Sequence, residues 1–368
     1  MVPTEAVSRA RGIRIAVANL ARGLHELGHE VLLFTAEDDP APSQLVHPSI
    51  GPIEVERLAR SVYASRQLGG FDEELADCAI IHDHTVAGPF LRHQRRGIAV
   101  VATNHGLFDS DVLDAYRQTG YQVPVIAVSH DQASRAPHTL EVEDVIHHGV
   151  DLARYPFRPE AGRYLVTFGA FQPAGGASIE TAVEVARHVG LPLRIAAPLR
   201  TDAEHDYYEA VVEPLLDDHV EYVGDPELTD RAALLGGALA MLHPIRWPEP
   251  FGLTAIESMA CGTPVISCSA GSAPEIIADG ETGIIADRHA DLIAAAADIG
   301  SIDRRRCRRH VEQRFTMHRM ALDHERLYRR LIDHRTDRSN VVFDFPSRPL
   351  TTSGRGTPRN FPVVLPAN

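Results

Sequence analysis

The chain contains no lysine; all 36 of its basic residues are arginine. That excludes Schiff-base catalysis and a P-loop lysine, and leaves arginine or histidine as the only side chains able to set a cation against a phosphate. Cysteine is sparse. Cys78, Cys261, Cys268 and Cys307 include no CxxC pair, so they read as free thiols of a reducing compartment, and a cytoplasmic location is expected. No apolar run approaches the ~20 residues of a bilayer-spanning helix, and no signal peptide is visible, so no transmembrane segment is expected. Acidic residues outnumber basic ones, giving a formal charge of −14. Nucleic acid is therefore not expected as a partner. No Ser-His-Asp arrangement is present, and Gly175-Gly176 lacks the third glycine of a dinucleotide fingerprint.

The most informative stretch runs from Glu249 to Glu257. It follows an apolar run, Ala238 to Leu242, of the kind found in buried parallel strands. Pro248, Pro250 and Gly252 break regular structure, and Leu253 to Ala260 is helical in composition, stopped by Gly262 and Pro264. A strand, a tight glycine turn and a helix N-terminus make an anion site, because the first helical N–H groups and the helix dipole face the anion. Glu257 lies one turn into the helix, and its carboxylate is placed to accept two hydrogen bonds from a diol beside that phosphate. Glu249 precedes the turn and faces the other end of the same ligand. The pattern suits a sugar nucleotide.

Trp247-Pro248-Glu249-Pro250-Phe251-Gly252, the Glu-x7-Glu spacing and Ala260-Cys261-Gly262-Thr263-Pro264-Val265 resemble the retaining GT-B glycosyltransferases of family 4, glycosyl transferases group 1. The resemblance implies a hexose moved from a nucleoside diphosphate sugar to an acceptor hydroxyl with retention. That donor is a co-substrate, and neither a cofactor nor a metal site is implied. It assigns Glu257 to the ribose, and Gly252, Leu253 and Thr254 to the diphosphate, with Phe251 beside them. Glu249 contacts the donor sugar together with His105, in Thr103-Asn104-His105-Gly106. The acceptor is not specified.

Length is a soft prior for two domains. Strand-like and helix-like segments alternate throughout, which predicts an α/β fold with parallel doubly wound sheets. The resemblance makes these two Rossmann-like domains facing across a cleft. The expected division is an acceptor-side domain over 1–155, a nucleotide-sugar domain over 156–315, a helix crossing back over 316–333 and a disordered tail over 334–368 rich in Pro, Ser, Thr and Arg. Such enzymes begin with a strand and a Gly-Gly loop, yet here Arg11-Gly12-Ile13-Arg14 stands where the loop belongs. The expectation is a first strand truncated by a start that lies upstream, since losing a central strand strands its neighbours' backbone groups. The alternatives are that this strand has been lost, or that Ile13 to Ala18 forms it.

Strands ending in His82-Asp83-His84, His105 and Ser129-His130 bring these residues to one sheet rim. Glu275 is expected to pack and cap. Val145 to Asp151 resembles the segment closing the first domain, with His147-His148 where Pro-Asn is usual. Arg304 to Arg309 reads as a solvated basic face.

The loop after the first strand of the second domain departs from the family. Its usual Gly-Arg and, further on, Lys-Gly become Gly169-Ala170 and Gly175-Gly176. Diphosphate leaving groups gain negative charge, and losing one stabilising donor typically costs ~2.7–4 kcal/mol. Arg246 and Arg200 are the candidates for a relocated cation. The alternative function is a catalytically impaired relic that binds a nucleotide sugar or a partner without efficient turnover.

Overall fold

The computed structural model describes residues 5–36, 46–50, 78–84, 98–109, 113, 123–169, 171, 178–339 and 363–366. The loop positions Ala170, Gly175 and Gly176 lie outside them.

The first lobe begins with helix α1 (Glu5–Glu26), which turns off at Gly28 in the left-handed region. Ile13 to Ala18 is therefore helical, and the alternative of a strand there is overturned. Its apolar positions explain this: Val17, Leu20, Ala21 and Leu24 recur at helical spacing and are all buried. The strands are β1 (Val31–Ala36), β2 (Val46–Ile50), β3 (Ile80–Asp83), β4 (Ala99–Thr103), β5 (Val125–Ala127) and β6 (Val142–Val145), with the short helix α2 (His130–Ser134) after β5.

The second lobe alternates β7 (Leu165–Phe168), α3 (Ser178–Val189), β8 (Leu193–Ala196), α4 (Asp202–Tyr207), β9 (Val220–Tyr222), α5 (Leu228–Gly236), β10 (Ala240–His243), α6 (Leu253–Ala260), β11 (Val265–Ser267), α7 (Ala273–Ile276), β12 (Gly283–Ile285) and α8 (His289–Asp298). Helices α9 (Arg304–Arg314) and α10 (Met317–Ser339) follow. The last element, β13, is Val363–Pro366.

Every strand pair is parallel. The second sheet has the order β12-β11-β10-β7-β8-β9, and the first β2-β1-β13-β3-β4-β5-β6. Strands β7 and β10, at the centre of the second sheet, are fully buried. Helix α10 crosses back onto the first lobe, where Met320, Ala321, Leu327 and Tyr328 share a core with α1, β1, β3 and β4.

Two expectations are corrected. Residues 334–368 are not a structureless tail throughout: α10 continues to Ser339, and Val363–Pro366 takes the central place between β1 and β3. The backbone groups of β1 and β3 require a partner, and a Val-Val-Leu segment from the far end of the chain supplies it. Pro366 pairs only with Phe34, beyond the end of the β3 ladder, where its missing N–H costs least. The second correction is that the basic run is not all solvated. Arg304 is buried and donates to the carbonyls of Arg158, Gly236 and Ala238 and to Thr263 Oγ1, while Arg308 donates to those of Tyr155 and Ala260. Guanidinium donors there satisfy carbonyls that would otherwise be left buried without partners.

Candidate functional site

Helix α6 starts where the β10 strand ends, on the carboxyl edge of the second sheet. Gly252 is its N-cap and has an ordinary negative φ. A Cβ there would sit at ordinary contact distance, 3.4 Å, from Glu249 Oε2, which places that carboxylate beside the turn. Gly271 does have a positive φ, +61°, and a Cβ on it would fall 2.4 Å from the Glu249 backbone N and O. That turn fixes Glu249, whose carbonyl accepts from Ser272 N at 3.1 Å. The Glu249 carboxylate is paired with His243 Nε2 at 2.8 Å, at the end of β10, and its side chain keeps 26% exposure. His243 Nδ1 is buried with no partner among the described residues.

Glu257 is 2% exposed. Its Oε1 accepts from Tyr155 Oη at 2.8 Å and its Oε2 from Arg231 Nε at 2.7 Å. Both oxygens thus have a protein donor, which corrects the picture of an open carboxylate; each keeps a second lone pair. Burial, then the Glu257 carboxylate, pushes the Tyr155 hydroxyl well above the usual phenol range, so it remains a donor. Arg231 also donates from Nη2 to Thr254 Oγ1 at 2.9 Å and lies over the Phe168 ring at 4.1 Å. Among the described residues the Leu253 and Thr254 amides meet no acceptor, whereas Gly252 N approaches Ser272 Oγ at 3.4 Å.

Arg246 is exposed and donates to the carbonyl of Asp287 at 2.7 Å, just past the end of strand β12. Arg200 pairs with Asp225. Neither accompanies Thr254 and Glu257; Arg231 does. The sequence offered little sign of it, since Asp230 to Gly237 reads only as a short helix before the central strand.

Phe251 reaches the other lobe, with its ring 5.0 Å from that of His148 and 5.6 Å from that of His147. His148 opens a column of imidazoles. His148 Nε2 meets His105 Nδ1 at 3.3 Å, and His105 Nε2 meets His84 Nδ1 at 2.9 Å. The His84 ring lies 4.0 Å from that of His82, tilted by 39°, and His82 bonds Tyr328 Oη at 2.6 Å and Thr103 Oγ1 at 2.7 Å. Alternation does put His82 and His84 on one face, but His82 is sealed under α10 rather than at the rim. Burial, then the charge of His324, holds His105 down to about 3, so its ring is neutral near pH 7. With both ring nitrogens engaged by histidines, it reaches a ligand only by releasing one of them or through a ring edge.

Glu275 joins the lobes. Its carboxylate accepts from the backbone N–H groups of His130 (2.8 Å) and Asp131 (2.7 Å) and pairs with His147 Nε2 at 2.9 Å. Burial would raise its pKa, but His147 and the two amides outweigh this and hold it below the usual carboxylate range. His130, His147 and Glu275 also have a metal-binding composition, with donor atoms within 4.8 Å of one another. The Glu275 carboxylate and the His147 ring are already paired in this clasp, which His130 joins through its backbone N–H. Glu275→Ala is expected to lower stability by about 1 kcal/mol, as three exposed or half-buried donors lose their acceptor; urea unfolding measures this, and an unchanged midpoint removes the clasp from the account.

Comparison with known proteins matches this architecture. A family model described as Glycosyltransferase Family 4 matches residues 10–154, and one described as Glycosyl transferases group 1 matches residues 190–313. A D-inositol 3-phosphate glycosyltransferase of Rhodococcus erythropolis is 29% identical over 342 residues, covering 76% of each chain. Sucrose-phosphate synthase from Thermosynechococcus elongatus superposes with a TM-score of 0.70 at 21% identity, covering 86% of this chain and 92% of its own. Anabaena Alr3699/HepE, solved with UDP and glucose, gives 0.64 at 17% identity, covering 86% and 95%. Among the described residues no helix is long and apolar enough to cross a membrane. One model falls on each lobe, and the chain belongs to the GT-B glycosyltransferases of group 1, family 4.

Proposed function

We propose that this chain transfers a hexose from a nucleoside diphosphate sugar to an acceptor hydroxyl with retention at the anomeric carbon. The observation that carries the reading is the pair Glu249 and Glu257 on either side of the α6 N-terminus, with the Leu253 and Thr254 amides between them meeting no acceptor among the described residues. An anion is the natural complement of those amides and of the helix dipole. Glu257 takes the ribose through its remaining lone pairs, and Glu249, steadied by His243, takes the sugar hydroxyls. Relatives support the donor class: Alr3699/HepE was solved with UDP and glucose, and the Rhodococcus protein is named a glycosyltransferase.

In this reaction the acceptor oxygen bonds to the anomeric carbon as the bond from that carbon to the diphosphate oxygen breaks. The electron pair departs with the nucleoside diphosphate, and the acceptor's proton is released. Charge grows on the diphosphate, so donors already oriented toward it lower the barrier. Glu249 strengthens its hold on sugar hydroxyls that become more acidic as positive charge develops at the anomeric carbon.

The test is transfer or donor hydrolysis with UDP-, GDP- and ADP-hexoses, the product anomer being read by NMR. Glu249→Gln is expected to reduce kcat/KM by roughly 10²-fold, the size of one lost transition-state contact, with the fold intact by circular dichroism. A wild type that neither binds nor turns over any of these donors overturns the proposal.

A further inference from the structure

Arg231 is the cationic side chain that bonds directly to the first turn of α6, through Thr254 Oγ1. We propose that Arg231 is the cation for the diphosphate of the donor, taking over the task left open at Ala170 and Gly175. The inference rests on the reading in the preceding subsection.

Three observations converge. The guanidinium lies 4.1 Å over the ring of Phe168, the last residue of β7, and β7 is the direct neighbour of β10 in the sheet. That fixes the charge at the carboxyl edge of the two central strands, where open parallel sheets bind ligands. Arg231 arrives there from α5, not from the loop that follows β7, so it does not depend on residues 170–177.

Its hydrogen bonds are also incomplete. Nε is committed to Glu257 and one Nη2 proton to Thr254 Oγ1. Among the described residues, no acceptor takes the two protons of Nη1 or the second of Nη2, and the side chain keeps 15% exposure. A partly exposed guanidinium held at one edge has donors left over in the planar fork that suits phosphate oxygens.

The electrostatics ask for an anion as well. A cation at the first turn of a helix stands at the positive end of the dipole, the reverse of the usual preference. Arg231 bonds to Thr254 in that first turn, and the Leu253 and Thr254 amides there have no acceptor among the described residues. Glu257, one helical turn further on, pairs with the arginine through Nε, while Nη2 reaches Thr254. Phosphate at this point would be met by two amides, the Thr254 hydroxyl and the guanidinium. Arg231 would also couple the two ends of the nucleotide, since the group that meets the diphosphate aligns the carboxylate that meets the ribose.

Calorimetry separates these roles. Wild-type protein is titrated with UDP, GDP and ADP to select the nucleotide, and then with that diphosphate, its monophosphate and its nucleoside. Arg231→Gln, which can still donate to Glu257 but carries no charge, is expected to weaken the diphosphate by about 10–100-fold and the nucleoside by less than about threefold. Arg231→Lys is expected to recover part of the diphosphate loss, because the charge returns without the fork. Thermal unfolding and circular dichroism establish that each variant is folded; if the Gln variant is not, the Lys variant is decisive, since it keeps the ion pair and must still bind the diphosphate more weakly than wild type. Equal losses for nucleoside and diphosphate would reduce Arg231 to a support for Glu257, and no loss in either variant would remove it from the site. A wild type that binds none of the three diphosphates overturns the function itself, an outcome distinct from a wild type that binds and variants that do not differ.

Discussion

Truncation after Ser339 is expected to unfold the first lobe while leaving the second folded. The cause is the position of β13. Val363 to Pro366 pairs with Val31 to Phe34 on one side, and Val363 and Val364 pair with Ile80 and Ile81 on the other. Without it, β1 and β3 face each other across the width of a missing strand. Leu33 and Ile80, both fully buried, lie in this part of the core. Each backbone group left buried and unpaired costs about 1–3 kcal/mol, and several together exceed the ~5–15 kcal/mol that holds a domain folded.

Limited proteolysis of the chain ending at Ser339 should cut within residues 1–150 and spare the second lobe. Near-ultraviolet circular dichroism should lose the first lobe's contribution. A synthetic peptide covering 356–368, added in trans, is expected to restore protection by refilling the same place. Val364→Pro in the full chain is a milder version, removing one ladder donor at the centre of the sheet. An unchanged urea midpoint for the truncated chain sinks the account.

This strand marks the boundary of what could be read from sequence. The β10–α6 turn was legible because its signals are local: an apolar run, three residues that break structure and a helical segment, all within about 25 residues. The segment around Val363 has no such context. It is short, flanked by prolines and without a turn partner, and its identity as a strand comes from two neighbours more than 280 positions away. The alternation of His82 and His84 was also readable, since period two is a backbone property. That α10 would cover His82 was not, because Tyr328 reaches it from 246 positions away. Arg231 is the same kind of case. The missing loop cations are visible in the sequence, but nothing local distinguishes Arg231 from other arginines as their substitute. The partner of Glu257 lies 26 positions before it, on a helix whose exposed face gave no sign of a buried ion pair.

The histidine column makes acid stability the second large expectation. His82, His84, His105, His148 and His324 are all depressed below the ordinary imidazole value of 6.5, first by burial and then in most cases by one another's charge; His105 falls to about 3 and His324 to about 4. In the unfolded chain each takes up a proton near pH 6.5. Between the native and unfolded values the unfolded state therefore binds more protons, so stability rises with pH. The contribution is fully present above pH 6.5. It declines as pH falls below 6.5 and is spent once the native values, about 4 for His324 and about 3 for His105, are passed. Each unit of separation is worth about 1.4 kcal/mol, so these two alone forfeit on the order of 8 kcal/mol by pH 3, comparable with the stability of a whole domain. Urea midpoints from pH 8 to pH 4 should be flat down to about 6.5 and fall steeply below it. His324→Gln, whose amide can donate to the Met320 carbonyl that His324 Nδ1 now bonds, should make the fall shallower by about one proton. A native state whose stability is constant from pH 7 to pH 5 would mean that these rings accept protons in place, and the column would then be open to water rather than sealed beneath α10.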